Sequence, residues 1–359
     1  MDDLTHLLAL NATERVGSVL LRRLLDRFRT LAAVAAAGER ALAEVEGVGA
    51  STASEIRRAF AENAGERERD LAERHQVRLI PWDDPASPHG FRCLFDAPLV
   101  LSVRGSLEPE DAAAVSMVGT REATPYGLGM ADRLAADLSE CGLTIVSGLA
   151  RGIDTAAHRG ALRRGRTLAV LGTGVLRVYP EENEPLSRRI AASGALLSEF
   201  PLLSGPSAVH FPRRNRLIAA LGLGTVVVES GDASGALITA DWAMEHGKPV
   251  FAVPGPCTSP VSRGCHALIR QGAAIAACPD DILDEIGFSR NVAPLTPEED
   301  RVLASLQSGP LSAAEISAET GLARSDVEES LSRLSRGGRA RQEGEAWLSA
   351  SRLLRPASR

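Results

Sequence analysis

Glycine recurs where short apolar runs end. The first run closes on Gly119-Thr120-Arg121, the second on Ser147-Gly148-Leu149-Ala150-Arg151-Gly152-Ile153-Asp154, the third on Leu171-Gly172-Thr173-Gly174. Glycine at a strand end lets a ligand approach the backbone closely, and the helix start that follows adds N–H groups and positive partial charge. Arg121 and Arg151 add full charges to two of these loops. Three such loops with two arginines point to an anion site.

His210-Phe211-Pro212-Arg213-Arg214-Asn215-Arg216 forms a second cluster, with three arginines in four residues and no acid beside them in sequence. Positive charge at a helix start opposes the macrodipole and costs stability unless an anion offsets it. Phe211 could stack on a base, and Asn215 could bond a base edge or a phosphate. Arg159, Arg163, Arg164 and Arg166 form a further basic stretch whose spacing also suits a solvated helix face.

Cofactor fingerprints are missing. No G-x-G-x-x-G follows the first run and no G-x-x-x-x-G-K-[ST] occurs, so neither a dinucleotide nor a Walker-type phosphate loop is indicated, and no cofactor is expected. Asp154 and His158, at i and i+4, could form an acid–base pair, but such a pair is more often a helix contact or a cap. Glu199 and Glu229 close two further runs, where orienting an arginine is as good a role as catalysis.

The elements that must position these loops follow from periodicity. Apolar runs at Ala114–Val118, Leu143–Ser147, Leu168–Leu171, Ala195–Ser198, Thr225–Glu229 and Val250–Val253, with a weaker one at 273–276, alternate with amphipathic stretches. That alternation predicts βαβ units and a mostly parallel sheet, whose carboxyl ends share one edge. Residues 81–111 read as a Pro- and Asp-rich connector with a strand at 99–103. The expected class is α/β, with a Rossmann-like domain over 76–288. Residues 1–75 read as short helices, with Val45-Glu46-Gly47-Val48-Gly49 resembling a helix-hairpin-helix turn. Residues 288–293 read as a linker. Residues 294–359 predict three helices and a hairpin framed by Gly337-Gly338 and Glu343-Gly344, the pattern of a winged helix-turn-helix. The acids Asp326, Glu328 and Glu329 on its third helix favour protein contact over groove reading.

Bulk properties exclude little else. The chain has 359 residues, a net charge of -6 and 4% aromatics, so basic character must be local if it binds nucleic acid at all. Lys248 is the only lysine, which leaves arginine, backbone N–H groups and helix ends to build any anion site. Five cysteines without a C-x-x-C indicate neither a disulfide framework nor a zinc site. Met1-Asp2-Asp3 shows no basic leader and no apolar run reaches membrane length, so the expected location is the cytoplasm.

Taken in order, the motifs above resemble the DNA-processing protein A (DprA, or Smf) family. So do Tyr179-Pro180-x-x-Asn183, Ser198-Glu199-Phe200-Pro201, Ser234-Gly235-Ala236-Leu237-Ile238-Thr239-Ala240, Val253-Pro254-Gly255 and Ser262-Arg263-Gly264-Cys265-His266-x-Leu268-Ile269. The resemblance implies a dimeric protein that binds and shields incoming single-stranded DNA in natural transformation and loads the RecA recombinase onto it. It places phosphate and base contacts in the loops of Gly119, Thr120 and Arg121 and of Gly148, Leu149, Arg151 and Gly152, and in the cluster Arg213, Arg214 and Asn215; the reading of the residues adds Ser147, Gly172, Gly174 and Phe211 to the expected site. It places the dimer surface around Cys265, His266 and Ile269. The rival reading is a nucleotide phosphoribohydrolase of a related fold. The stretch corresponding to that enzyme's catalytic acid, 234–240, carries no carboxylate, so general acid–base chemistry lacks its obvious agent.

Overall fold

The computed structural model describes residues 2–13, 15–232, 234–288, 295–307, 309–336, 340–344 and 346–349. The chain divides into two compact units, 1–288 and 289–359.

In the first unit nine strands form one sheet. They are β1 (Arg78–Pro81), β2 (Val100–Gly105), β3 (Ala114–Val118), β4 (Thr144–Ser147), β5 (Thr167–Val170), β6 (Ala195–Ser198), β7 (Thr225–Val227), β8 (Val250–Ala252) and β9 (Ala274–Ile275). Their order is β1-β2-β6-β5-β4-β3-β7-β8-β9. β3 to β9 run parallel, as the alternation predicts, while β1 and β2 extend the β6 edge in antiparallel register. Strands β3 to β8 are buried along their whole length. This is why they read as unbroken apolar runs rather than as alternating ones. One core, with Val118, Val146, Leu168, Leu197 and Leu217, fills one face. A second, with Met117, Leu134, Ile145, Ile153 and Val228, fills the other.

The helices enter as capped segments. Thr124 accepts from the Gly127 N–H at 3.2 Å and sets Pro125 in the first turn of Pro125–Glu140. Ser234 caps Gly235–Glu245. The N-terminal helices bury Leu8, Leu10, Leu24 and Ile56 against Leu99 and Val100 at the start of β2. Two polar clamps join them to the loop after β6: Asn11 donates to the Glu199 carbonyl at 3.2 Å, and Glu68 accepts from the Leu202 N–H.

The second unit holds helices Pro297–Ser305, Ala313–Thr320 and Arg324–Arg336, with strands β10 (Leu311–Ser312), β11 (Ala340–Glu343) and β12 (Ala346–Ser349) in the order β10-β12-β11. Thr296 with Glu299, and Ser312 with Glu315, form reciprocal capping boxes. Val302, Ile316, Val327 and Leu331 make its core. Gly337, Gly338 and residues 289–293 of the expected linker lie outside the described residues.

Candidate nucleic-acid interface

The chain steps from β3 through β4 and β5 to β6 on one side, then returns to β7, β8 and β9 on the other. Ligands of open α/β sheets bind in the crevice at such a reversal, outside the carboxyl ends of the strands. All three glycine loops stand on this edge.

Two of them are locked together. Gly152, at φ +73°, lies so close to the 119–121 loop that a Cβ would stand 2.3 Å from the Thr120 carbonyl oxygen. The Ile153 N–H donates to that carbonyl at 3.2 Å. Gly119 and Thr120 are half-buried in this seam, and Ser147 is buried, donating to the Met117 carbonyl at 2.6 Å. Arg121 and Arg151 remain exposed. Arg151 makes a two-pronged pair with Glu182, both contacts at 2.8 Å. Among the described residues no carboxylate partner is seen for Arg121; its guanidinium lies 5.3 Å from the centroid of the Phe211 ring.

Phe211 is the centre of a small platform. Its ring rests on Gly172, with Tyr179 beside it at 5.8 Å between centroids and 46° between planes. Gly174 follows in the same loop, and its N–H donates to the Ser204 carbonyl at 3.0 Å. Tyr179, noted above only as part of a motif, is thus a member of the platform that sequence reasoning missed. An exposed tyrosine after a glycine loop carries no signal of its own.

Beneath the platform the arginine cluster divides. Arg214 is 4% exposed and its guanidinium packs on Gly148, donating to the carbonyls of Gly148 (2.8 Å) and Val170. Asn215 is likewise buried, donating to the Gly235 carbonyl at 3.0 Å and accepting from Arg214 at 3.2 Å. Burial pulls the Arg214 pKa down to about 10 while Asp154 works against that shift. The Asp154 carboxylate accepts from the N–H groups of Gly148 (3.1 Å) and Ala150 (3.3 Å), and burial pushes its pKa up. Those two N–H groups are therefore spent inside the loop. Leu149, at φ +57°, is held by Asn183, which donates to its carbonyl at 2.9 Å.

The cluster is not uncompensated, as its sequence neighbourhood implies. The Glu199 carboxylate accepts from Arg213 at 3.1 Å and from Arg216 at 2.7 Å, and Arg216 also reaches Asp96 at 2.7 Å. The acids come from other strands and loops, so no local reading could pair them. Arg213 stays half-exposed, with its guanidinium 5.6 Å from the Phe200 ring centroid.

The candidate acids are occupied as well. Glu229 is buried and holds the Thr124 N–H (2.9 Å) and hydroxyl (2.6 Å). His158 faces Thr167 at 2.7 Å rather than Asp154, and burial pulls its pKa down to about 3. The i, i+4 pair is two separate structural contacts. In the helix Arg263–Arg270, Cys265 is fully buried and donates to the Val227 carbonyl at 3.5 Å. Of the three residues ascribed to a dimer surface, only His266 and Ile269 offer any surface in this chain. Among the described residues no helix is long and apolar enough to cross a membrane, and no cluster of acids, histidines and cysteines could hold a metal.

The model of the DNA recombination-mediator protein A family matches residues 78–287, and that of a SAM-like helix-hairpin-helix tandem matches residues 7–62. The Smf protein of Escherichia coli is 41% identical over 63% of this chain and 61% of its own length. The match thus spans under two thirds of that relative. The crystal structure of DNA processing protein A from Streptococcus pneumoniae is similar over 79% of this chain and 99% of its own, at 32% identity and a TM-score of 0.64. A structure describing the single-stranded DNA binding mode of the Helicobacter pylori protein is similar over 58% of this chain and 94% of its own, at 28% identity and a TM-score of 0.53.

Proposed function

This chain belongs to the DNA recombination-mediator protein A family, and we propose from that premise that it binds single-stranded DNA on the carboxyl edge of its sheet. It shields incoming DNA and passes it to the RecA recombinase, acting as a cytoplasmic homodimer without enzymatic activity. One observation carries the reading: the Phe211 ring sits on a glycine with Tyr179 and the guanidinium of Arg121 both close to it. An unpaired base offers a face to stack and a phosphate beside it, whereas a duplex hides its base faces.

In this reading Arg121, Arg151 and Arg213 reach phosphates. The Arg151–Glu182 pair is exposed and screened by solvent, so a phosphate can displace the carboxylate. Arg214 and Asn215 act from below, holding the 148–152 loop in shape. The occupation of Asp154, Glu199 and Glu229 by structural partners supports binding over hydrolysis. Residues 1–75 and 76–288 act as a helical module and the DNA-binding module. Residues 294–359 act as a winged helix that meets protein rather than DNA, as its acidic third helix favours.

Fluorescence anisotropy with oligo-dT and with duplex, for wild type and Arg121→Ala across a salt series, tests the proposal. Wild type should prefer the single strand, with affinity falling steeply with salt. The variant should lose affinity and about 0.7 of the log–log salt slope per phosphate contact removed. Equal affinity and equal slope for the two proteins would overturn it.

A further inference from the structure

We propose that the bound strand continues from the Phe211 platform into a groove between the helices Pro125–Glu140 and Ile153–Arg164, where Arg159 holds a second phosphate. The inference rests on the single-strand reading above and extends its site. The groove has a volume of about 540 Å³ and is lined by Arg121, Glu122, Leu128, Gly129, Asp132 and Arg159, among others. That is within the usual range for a site that holds a small organic group.

Charge selects this groove. Elsewhere in this unit Arg151 is paired with Glu182, Arg163 with Asp132, Arg164 with Glu140, Arg166 with Asp111 and Arg213 with Glu199. Among the described residues no carboxylate partner is seen for Arg121 or Arg159, and both line the groove. Asp132 is occupied by Arg163, which leaves Glu122 as the opposing carboxylate and the lining net positive. In a chain of net charge -6, two arginines on one groove wall without an ion-pair partner favour an anion there. Arg121 belongs to both places, lying over Phe211 and on the groove wall, so a strand can pass from one to the other without a gap. Leu128, 38% exposed, gives the wall an apolar surface for a sugar or base. Gly129 also lines the groove, and a Cβ there would meet nothing within 4 Å.

That last fact supplies the test. Gly129→Glu brings a carboxylate to the groove wall from a Cβ that meets nothing, and Gly129→Ala is its control. The full chain is titrated with oligo-dT of about 6 and about 16 nucleotides, a short and a long single-strand footprint. Arg159→Ala and Gly129→Glu should each weaken the longer oligonucleotide about 3- to 10-fold and lower its salt slope by about 0.7, leaving the shorter one and the Gly129→Ala control unchanged. Glu122→Gln should tighten the longer one. If Arg159→Ala and Gly129→Glu bind the longer oligonucleotide as wild type does while Arg121→Ala is impaired, the groove path is wrong and the platform stands. If Arg121→Ala also binds as wild type, the platform reading fails with it.

Discussion

The ring of Phe211 rests directly on the backbone of Gly172: a Cβ at position 172 would lie 2.7 Å from the ring Cδ1 and 2.9 Å from Cε1. Neither Gly172 nor the loop behind it can yield easily, because Leu171 is hydrogen-bonded to β6 through its N–H and Gly174 to Ser204. Gly172→Ala must therefore push the aromatic ring off its seat. A base stacked on an aromatic side chain contributes about 1–3 kcal/mol. Gly172→Ala and Phe211→Ala should thus each weaken oligo-dT binding roughly 5- to 150-fold. Acting through one ring, the two losses should not add, and the double variant should bind about as poorly as the worse single one. Additive losses in anisotropy titrations would show that Gly172 serves the site in some other way.

Glu199 ties the platform to the body of the protein. It is 2% exposed and accepts from both Arg213 and Arg216, the latter also 2% exposed. Orphaning a buried charge costs about 3–5 kcal/mol. Glu199→Ala leaves Arg216 with Asp96 alone, so it should lower unfolding stability in urea titrations by less than that full cost. Arg213→Ala, which removes only the half-exposed member, should cost well under half as much. Equal losses would mean that the buried Arg216 is not the dependent partner.

The strand ends and their glycines were legible because β3 to β8 are buried on both faces, which writes them as uninterrupted apolar runs. What escaped was whatever depended on distant partners. The arginines at 213–216 looked uncompensated because Glu199 and Asp96 reach them from 17 and 120 residues away along the chain. The helix Pro125–Glu140 starts where it does because Thr124 caps it and Glu229, contributed by another strand end, holds that cap. Its Gly- and Pro-containing first turn has too little helix propensity to be read alone. β1 escaped too, being four residues long, ending on Pro81 and paired only at the sheet's edge. Asn215 and Arg214 carried the right chemistry for a ligand, and only their burial assigns that chemistry to the loops.

The cysteines offer a check on the helix Arg263–Arg270. Cys265 is fully buried, and burial pushes its thiol up to about 12, whereas Cys93 and Cys257 are exposed. The thiolate is the reactive form, so Cys265 should resist a maleimide or a disulfide reagent in the native protein while Cys93 and Cys257 are modified. Mass spectrometry of labelled peptides reads this directly. Labelling of Cys265 at a rate similar to Cys93 would mean that this helix does not pack as described.

His158 gives the fold a pH dependence whose sign can be worked out. The Thr167 hydroxyl donates to the Ile145 carbonyl at 2.7 Å, so it must accept from the His158 Nδ1–H at 2.7 Å. Nε2 is then the unprotonated nitrogen, buried with no hydrogen-bond partner. A proton there would place a charge in the core near the Arg214 guanidinium, which together with the dominant burial cost pulls the pKa from 6.5 to about 3. Between those two values the unfolded chain binds more protons than the folded one, so stability rises with pH. The contribution is complete above about pH 6.5 and is lost as pH falls towards 3, up to an order of about 5 kcal/mol in all. His158→Asn can keep a donor to Thr167 but cannot titrate. Carboxylates titrate in both proteins, so the difference between them isolates the imidazole. Urea midpoints at about pH 7 and about pH 4.5 should show wild type losing more stability than the variant over that interval. Parallel losses would mean that His158 is protonated, or exposed to water, in the folded protein.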